Sequence, residues 1–174
     1  MGKIAVFGLG PSLCLFDYVL NDFDKIIGVN DIWKYYKTDV IVCLDKPRVF
    51  AGERLKVIES SRPEAFYSQL VIWDTRPDFK KINILPGYPD LICKIDGADY
   101  QKSYCSPFVA CQVAYKVYRA TEIHMYGVDL TNHPHLDKAL CSKIKLHFSH
   151  LRKSLELKGC KLIVHGSGIL TVSL

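Results

Sequence analysis

The chain has 174 residues, of which 49% are hydrophobic and 24% charged, and its formal net charge at pH 7 is +5. This balance is typical of one globular domain with a substantial core and excludes a disordered tail. The mild positive charge suits a small anionic ligand about as well as a nucleic acid, but the basic residues form no arginine-rich arm, so we do not expect a nucleic acid partner.

The cysteines and the apolar runs bear on the compartment. Seven scattered cysteines without a Cys-x-x-Cys pair are typical of reduced core thiols and offer no zinc site. No apolar run approaches the ~20 residues of a membrane span, and the first residues read directly as a strand. We therefore expect a cytoplasmic protein without a membrane span, and a homo-oligomer is compatible with these features.

The first predicted strand ends in a glycine-rich turn. Residues 3–7 are mostly apolar, and a helix is predicted from 13 to 20; the turn between them contains Gly8, Gly10, Pro11 and Ser12. Such a turn brings backbone N–H groups close to an anion at a helix N-terminus, so it predicts a phosphate site. The same residues also suit an ordinary connection between a strand and a helix.

Two more apolar segments, 24–30 and 39–45, predict strands that also end in polar residues, which are Asn30, Asp31 and Asp45. Ligands of open α/β sheets bind outside the carboxyl ends of the strands, so these side chains are candidate nucleotide contacts. A helix over 50–60 and a strand over 69–73 are predicted next.

Residues 74–104 have a different composition, with prolines, glycines and mixed charges that break any helical period. We interpret the chain as a single domain, 1–174, with an irregular insertion here that acts as a lid or an acceptor-binding flap. Short strands are predicted at 82–85 and 91–95. The alternative is that this segment is a meandering edge of the sheet.

Order returns at Ser106, predicted as the N-cap of a buried helix that has a proline in its first turn. A strand over 122–129 then ends in Asp129, whose carboxylate suits either a ligand or the backbone of its own loop. An amphipathic helix is predicted over 136–158 and a last strand over 161–165. Ser167 follows between two glycines, where it suits a ligand contact or an ordinary turn.

Together these patterns predict an α/β fold, a single Rossmann-like domain with a mostly parallel sheet and helices on both faces. Three motifs in this order, at residues 8–13, 28–30 and 106–129, resemble the family 42 glycosyltransferases, which are bacterial CMP-sialic-acid-dependent sialyltransferases. They are also similar to the archaeal-type 6-hydroxymethylpterin pyrophosphokinases. Leu9 departs from the family pattern, which has an asparagine there.

The resemblance implies an enzyme that transfers a sugar from a nucleotide-activated donor, CMP-linked, to a hydroxyl acceptor. It implies no metal and no further cofactor. The general base in that family is a histidine after the Gly-x-Asp strand, and the nearest candidates here are His133 and His135, with His147 and His150 as second choices. Both His133 and His135 also suit the cap of a turn or of the next helix. The residues expected at the nucleotide are Gly8, Gly10, Pro11, Ser12, Asn30, Asp31, Asp45, Ser106, Asp129 and Ser167.

Two alternatives stay open. The chain could be a nucleotide-binding or sequestering protein without catalysis. It could instead be a pyrophosphokinase-type enzyme that uses ATP and Mg²⁺, and Asp45 and Asp129 would then be metal ligands.

Overall fold

The computed structural model describes residues 2–17, 22–85, 100–101, 105–131 and 136–170. Its strands, numbered in chain order, are β1 (Lys3–Phe7), β2 (Lys25–Val29), β3 (Val40–Val42), β4 (Ala65–Ser68), β5 (Phe79–Lys81), β6 (Ile84–Leu85), β7 (Tyr100–Gln101), β8 (Glu122–Tyr126) and β9 (Lys161–Val164). Its α-helices are α1 (Glu53–Ser60), α2 (Ser106–Lys116) and α3 (Lys138–Leu157).

Within the described residues, seven strands form one sheet in the order β5-β4-β3-β2-β1-β8-β9, and every neighbouring pair is parallel. The strands run outwards from β1 in both directions, so the topological switch point lies between β1 and β8. At their carboxyl ends Phe7 lies beside both Gly28 and Tyr126. An α/β fold with a parallel sheet is therefore confirmed.

Helices cover both faces of the sheet, as predicted. Alternate strand residues such as Ile4 and Val6 pack with α2 and α3, because residues of a strand point to opposite faces in turn. The other face is aromatic, and there Phe7, Phe66 and Trp73 pack with Ile58 of α1. Hence α2 and α3 lie on one face and α1 on the other.

Two predicted elements are wrong. In the described part of the helix predicted over 13–20, the chain forms a short 3₁₀ helix, Pro11–Leu15, after which Phe16 is extended and buried against Phe7. Residues 18–20 of this prediction lie outside the described residues. The strand predicted over 69–73 begins earlier, at Ala65, and Val71–Trp73 is a 3₁₀ turn. Pairing with β3 selects the fully buried residues Ala65–Ser68, whereas Val71 and Ile72 are more than half exposed.

Three boundaries are refined. The N-cap of α2 is Cys105, so Ser106 is the first helical residue. In α3 the N-cap is Asp137, whose carboxylate accepts from the amide of Leu140 at 2.7 Å. The last strand ends at Val164, one residue before the predicted end.

The predicted insertion lies only partly within the described residues. Its first part contributes β5, which pairs with β4 at the edge of the main sheet, and β6, which pairs with β7. The strand predicted at 91–95 lies outside the described residues. Among the described helices, none is both long and apolar enough to cross a membrane.

Candidate functional site

The loop after β1 is bound to the loop after β8 through its backbone. The amide of Gly8 donates to the carbonyl of Tyr126 at 2.8 Å, and the amide of Gly10 donates to the carbonyl of Gly127 at 2.7 Å. The amide of Ser12 donates to Oδ2 of Asp129 at 2.9 Å. Each of these three amides thus has an acceptor within the chain, so the predicted phosphate site needs other donors in this conformation.

Side chains strengthen the same junction. The Ser12 hydroxyl donates to Oδ2 of Asp129 at 2.9 Å and accepts from the amide of Gly127 at 2.9 Å. Ser12 and Asp129 are each 6% exposed, so these hydrogen bonds are shielded from water. Asp129 therefore holds the first loop in place. The sequence predicted either a ligand contact or hydrogen bonds to backbone amides of its own loop, and here the carboxylate accepts from a backbone amide of a different loop.

The glycines of both loops are explained by close backbone contact. A Cβ atom on Gly8 would collide with the carbonyl of Gly127, and one on Gly10 would collide with the carboxylate of Asp129. Gly127 has a φ of +69°, which favours glycine. Pro11 begins the 3₁₀ turn, and Leu9 between the two glycines is 38% exposed.

A third loop covers this junction from the end of β9. A Cβ on Gly166, whose φ is +110°, would collide with Ser12, and one on Gly168 would collide with the backbone of Asp129. The amide of Ile169 donates to the carbonyl of Asp129 at 3.1 Å. Ser167 between these glycines is exposed, so its hydroxyl faces solvent at the edge of the junction.

Asn30 and Ser106 meet at the end of β2. The Ser106 hydroxyl lies 3.5 Å from Oδ1 of Asn30, at the long limit for a hydrogen bond. Asn30 has a φ of +52°, a left-handed conformation that asparagine tolerates better than most residues. The structure thus brings together two predicted nucleotide contacts that are 76 positions apart in sequence.

The two predicted aspartates at this edge differ in their environments. Oδ1 and Oδ2 of Asp31 accept from Nη2 and Nε of Arg54 at 2.7 and 2.8 Å, and the side chain of Asp31 is 6% exposed. A ligand would have to displace Arg54 to reach this carboxylate. Asp45 follows β3, is half-buried, and its carbonyl accepts from Nε1 of Trp73 at 3.4 Å.

The histidines predicted as the general base, His133 and His135, lie outside the described residues. Of the second choices, His147 is 2% exposed and contacts the ring of Phe108, with ring centroids 6.0 Å apart. Burial lowers the pKa of His147, and His150 and Lys143 add to this effect. His147 is therefore a core residue of α3. Among the described residues, no group of three or more His, Cys, Asp or Glu side chains is arranged to hold a metal ion.

The fold resembles that of a sialyltransferase. A mutant of the alpha-2,3/8-sialyltransferase CstII superposes with a TM-score of 0.58 at 14% identity, over 98% of this chain and 84% of that one. CstII from Campylobacter jejuni, in complex with the substrate analogue CMP-3FNeuAc, superposes with a TM-score of 0.57 at 15% identity, over 94% and 79%. At this level of identity the likeness concerns the fold alone. No family model and no curated protein matches the sequence.

Sequence reasoning missed the residues that close the junction. The sequence pattern places Gly127 at a strand end and Gly166 and Gly168 on either side of Ser167, but it predicts no contact for any of these glycines. The available signal was a glycine at the end of three strands: Gly8 and Gly127 directly follow β1 and β8, and Gly166 follows β9 after one residue. Glycines at adjacent strand ends predict close contact between loops as well as with a ligand.

Proposed function

We propose that this chain binds a nucleotide sugar at the carboxyl ends of its parallel strands and transfers the sugar to a hydroxyl acceptor. The observation that carries the proposal is the contact of Asn30 with Ser106, at the edge of a fold like that of CstII. One of the similar structures holds CMP-3FNeuAc, so a CMP-linked donor is the first candidate.

The N-terminus of α2 is the best candidate for the phosphate. The amides of a first helical turn carry a positive partial charge and point at a ligand. In α2, Pro107 has no N–H and the amide of Phe108 donates to the carbonyl of Cys105 at 3.3 Å, so the candidate donors are the amide and hydroxyl of Ser106. No acidic residue lies in the first turn of α2, and the side chain of its N-cap, Cys105, makes no capping hydrogen bond. Ser106 is the first residue of this helix, so Asn30 and Ser106 would contact the nucleotide beside its phosphate.

Backbone strain supports a functional role for this edge. Of the described non-glycine residues with positive φ, two follow strand ends at the predicted site: Asn30, and Leu130 with a φ of +55° directly after Asp129. A left-handed non-glycine residue costs about 1–2 kcal/mol and is kept where the surroundings or the function require it.

The chemistry we propose is a direct displacement. The acceptor oxygen attacks the anomeric carbon, the bond from that carbon to the phosphate oxygen breaks, and the nucleotide leaves with the bonding electrons. His133 or His135 takes the acceptor proton, because an imidazole with a pKa near neutrality is an efficient base at pH 7. The amide and hydroxyl of Ser106, at the N-terminus of α2, would stabilise the leaving phosphate. Independence of metal ions stays a prediction.

The experiment is a thermal-shift and calorimetric panel of CMP, CDP, UDP, GDP, ATP and a CMP-sugar, each with and without Mg²⁺. A ligand at about 100 times its Kd stabilises the folded state by about 2.7 kcal/mol, which raises Tm by about 5–10 °C for a domain of this size. We expect CMP and the CMP-sugar to bind. Absence of a shift with every ligand would refute nucleotide binding.

Matched variants test the site itself. Asn30→Gly removes the side chain but keeps a residue that tolerates positive φ, and Ser106→Ala removes the hydroxyl. Both should weaken CMP binding, whereas Ser142→Ala on the exposed face of α3 should not. Unchanged affinity in both site variants would move the nucleotide elsewhere.

Turnover separates the alternatives. Release of CMP from the CMP-sugar in the presence of a hydroxyl acceptor, lost in a variant with both His133 and His135 replaced by Ala, supports the transferase. Binding without turnover supports a sequestering protein, and binding of ATP that depends on Mg²⁺ supports the pyrophosphokinase.

A further inference from the structure

A row of ionisable side chains lies on the sheet face opposite α2 and α3, away from the proposed nucleotide contacts. Nδ1 of His124 on β8 is 3.0 Å from Nε2 of His165, which follows β9, and Nε2 of His124 is 3.4 Å from Oε2 of Glu122. The ring of His165 also stacks on Tyr126, with centroids 4.1 Å apart and planes 2° apart. The side chain of His124 is 14% exposed, so water competes little for these contacts.

Hydrogen bonding fixes how many protons this row can hold. Two ring nitrogens 3.0 Å apart can share only one hydrogen, so one donates and the other accepts. A first added proton is tolerated, since His124 can then donate Nδ1–H to His165 and Nε2–H to Glu122. A second proton makes both facing nitrogens donors and places two positive charges side by side. The contact between the imidazoles must then break.

His165 directly precedes the turn that covers the junction of the loops after β1 and β8. Gly166 and Gly168 lie in close contact with Ser12 and Asp129, and the amide of Ile169 donates to Asp129. The backbone amide of His165 donates to the carbonyl of Met125 at 2.9 Å, so the turn is held at its start by both backbone and side chain. Loss of the contact between the imidazoles would therefore remove one of the two interactions that hold the start of this turn.

We propose that His124 and His165 form a pH-sensitive latch that holds the turn 166–168 against Ser12 and Asp129 and releases it when both imidazoles carry a proton. The groups that face the pair are Glu122 and Tyr126 from β8, and Phe23 from the segment before β2, whose ring lies 5.2 Å from that of His124. Of these described groups Glu122 is the acidic one, and its one carboxylate offsets one proton. Burial, and then the neighbouring His124, lower the pKa of His165, which agrees with the second proton being disfavoured while the latch is closed.

The latch itself does not depend on the proposed function; only its effect on nucleotide affinity does. If residues 166–168 leave the junction, Ser12 and Asp129 become accessible to water at the carboxyl end of β1. We expect a nucleotide held at this edge to bind more weakly at acid pH than at neutral pH.

The experiment is amide hydrogen exchange of the full chain between about pH 7.5 and pH 5, the range in which histidine titrates. The reporter is the amide of Ile169, and the reference is the amide of Asn30, which donates to the carbonyl of Val42 at 3.2 Å. After correction for the intrinsic exchange rate, the opening equilibrium constant at Ile169 should increase by up to about tenfold for each unit by which pH is lowered, which is the limit for uptake of one proton. Opening at Asn30 should change much less.

The control variant is His165→Gln, whose amide can still hydrogen-bond to His124 but cannot gain a charge. It should abolish the pH dependence of exchange at Ile169. His124→Gln, which removes the other imidazole of the pair, should have the same effect and replaces the first variant if that one folds poorly. Equal pH dependence at Ile169 and Asn30 in the unmodified chain, or an unchanged slope in both variants, would overturn the latch.

A CMP titration forms a separate arm. As pH is lowered, CMP affinity should decrease more steeply in the unmodified chain than in His165→Gln, and the comparison cancels the titration of the phosphate itself. If CMP binds at no pH, the proposed function fails, whereas the exchange experiment still decides the latch.

Discussion

Replacement of Ser12 by alanine tests whether the first loop is a structural junction. The variant leaves the amide of Gly127 without its acceptor in a buried position, which costs about 1–3 kcal/mol, and removes one hydrogen bond to the carboxylate of Asp129. The amide of Ser12 still donates to Asp129, so the carboxylate keeps a partner. We expect a total loss of about 2–4 kcal/mol in the free energy of unfolding.

The assay is urea unfolding at equilibrium, followed by tryptophan fluorescence. With a slope of about 2 kcal/mol per molar urea, the midpoint should fall by about 1–2 M without a change in slope. Ser142→Ala is the matched control, because its exposed hydroxyl donates only to the carbonyl of Lys138, one turn earlier in α3. That variant should stay within about 0.5 kcal/mol of the unmodified chain. A loss below about 1 kcal/mol for Ser12→Ala would refute the junction.

Three further changes probe the neighbouring contacts. Gly10→Val should lower the urea midpoint as well as any nucleotide affinity, because its side chain would collide with Asp129; an unchanged midpoint would contradict this packing. Arg54→Met should cost about 1–2 kcal/mol, since it leaves the buried carboxylate of Asp31 without its ion pair, and this cost is moderated because the Arg54 side chain is 46% exposed. Recovery of stability in the double variant with Asp31→Asn would support this cause. Burial lowers the pKa of His147 in the folded state, so below about pH 6.5 the unfolded chain takes up a proton that the folded chain does not. The free energy of unfolding should therefore fall as pH drops below about 6.5. His147→Phe should make the urea midpoint depend less on pH.

The strands buried on both faces could be predicted from sequence because their apolar runs are continuous. β1, β2 and β3 lie within the predicted segments. β8 also lies within its predicted segment although Glu122 and His124 interrupt its apolar run, and α3 lies within the predicted amphipathic helix. The position of β4 could not be predicted, since the more apolar segment after it is excluded from the sheet by pairing with β3. The first helix failed for a similar reason, because burial of Phe16 against Phe7 ends the 3₁₀ turn early.

The candidate site was harder to predict because its contacts are distant in sequence. Ser12 and Asp129 are 117 positions apart, and nothing local indicates that the carboxylate binds the serine. Residue types at strand ends correctly marked which segments meet, since parallel strands bring their carboxyl ends to one edge. Residue types alone could not distinguish a glycine that lets a phosphate approach the backbone from one that lets another loop approach it, because both contacts require a residue without a Cβ atom.

The closed junction bears on where a nucleotide could bind. In open α/β sheets the ligand crevice lies at the topological switch point, which here is between β1 and β8. That position is filled by the contacts of Ser12, Gly127 and Asp129, so a nucleotide must either displace the Asp129 carboxylate from Ser12 or lie beside the junction, towards Asn30 and Ser106. Like charges make displacement unfavourable for the nucleotide, because its phosphate would approach a buried carboxylate. Ser12→Ala separates the two geometries: a site beside the junction should keep its CMP affinity in the folded fraction of the variant, whereas a site that recruits the serine hydroxyl should lose affinity about tenfold, the equivalent of one hydrogen bond to a charged group.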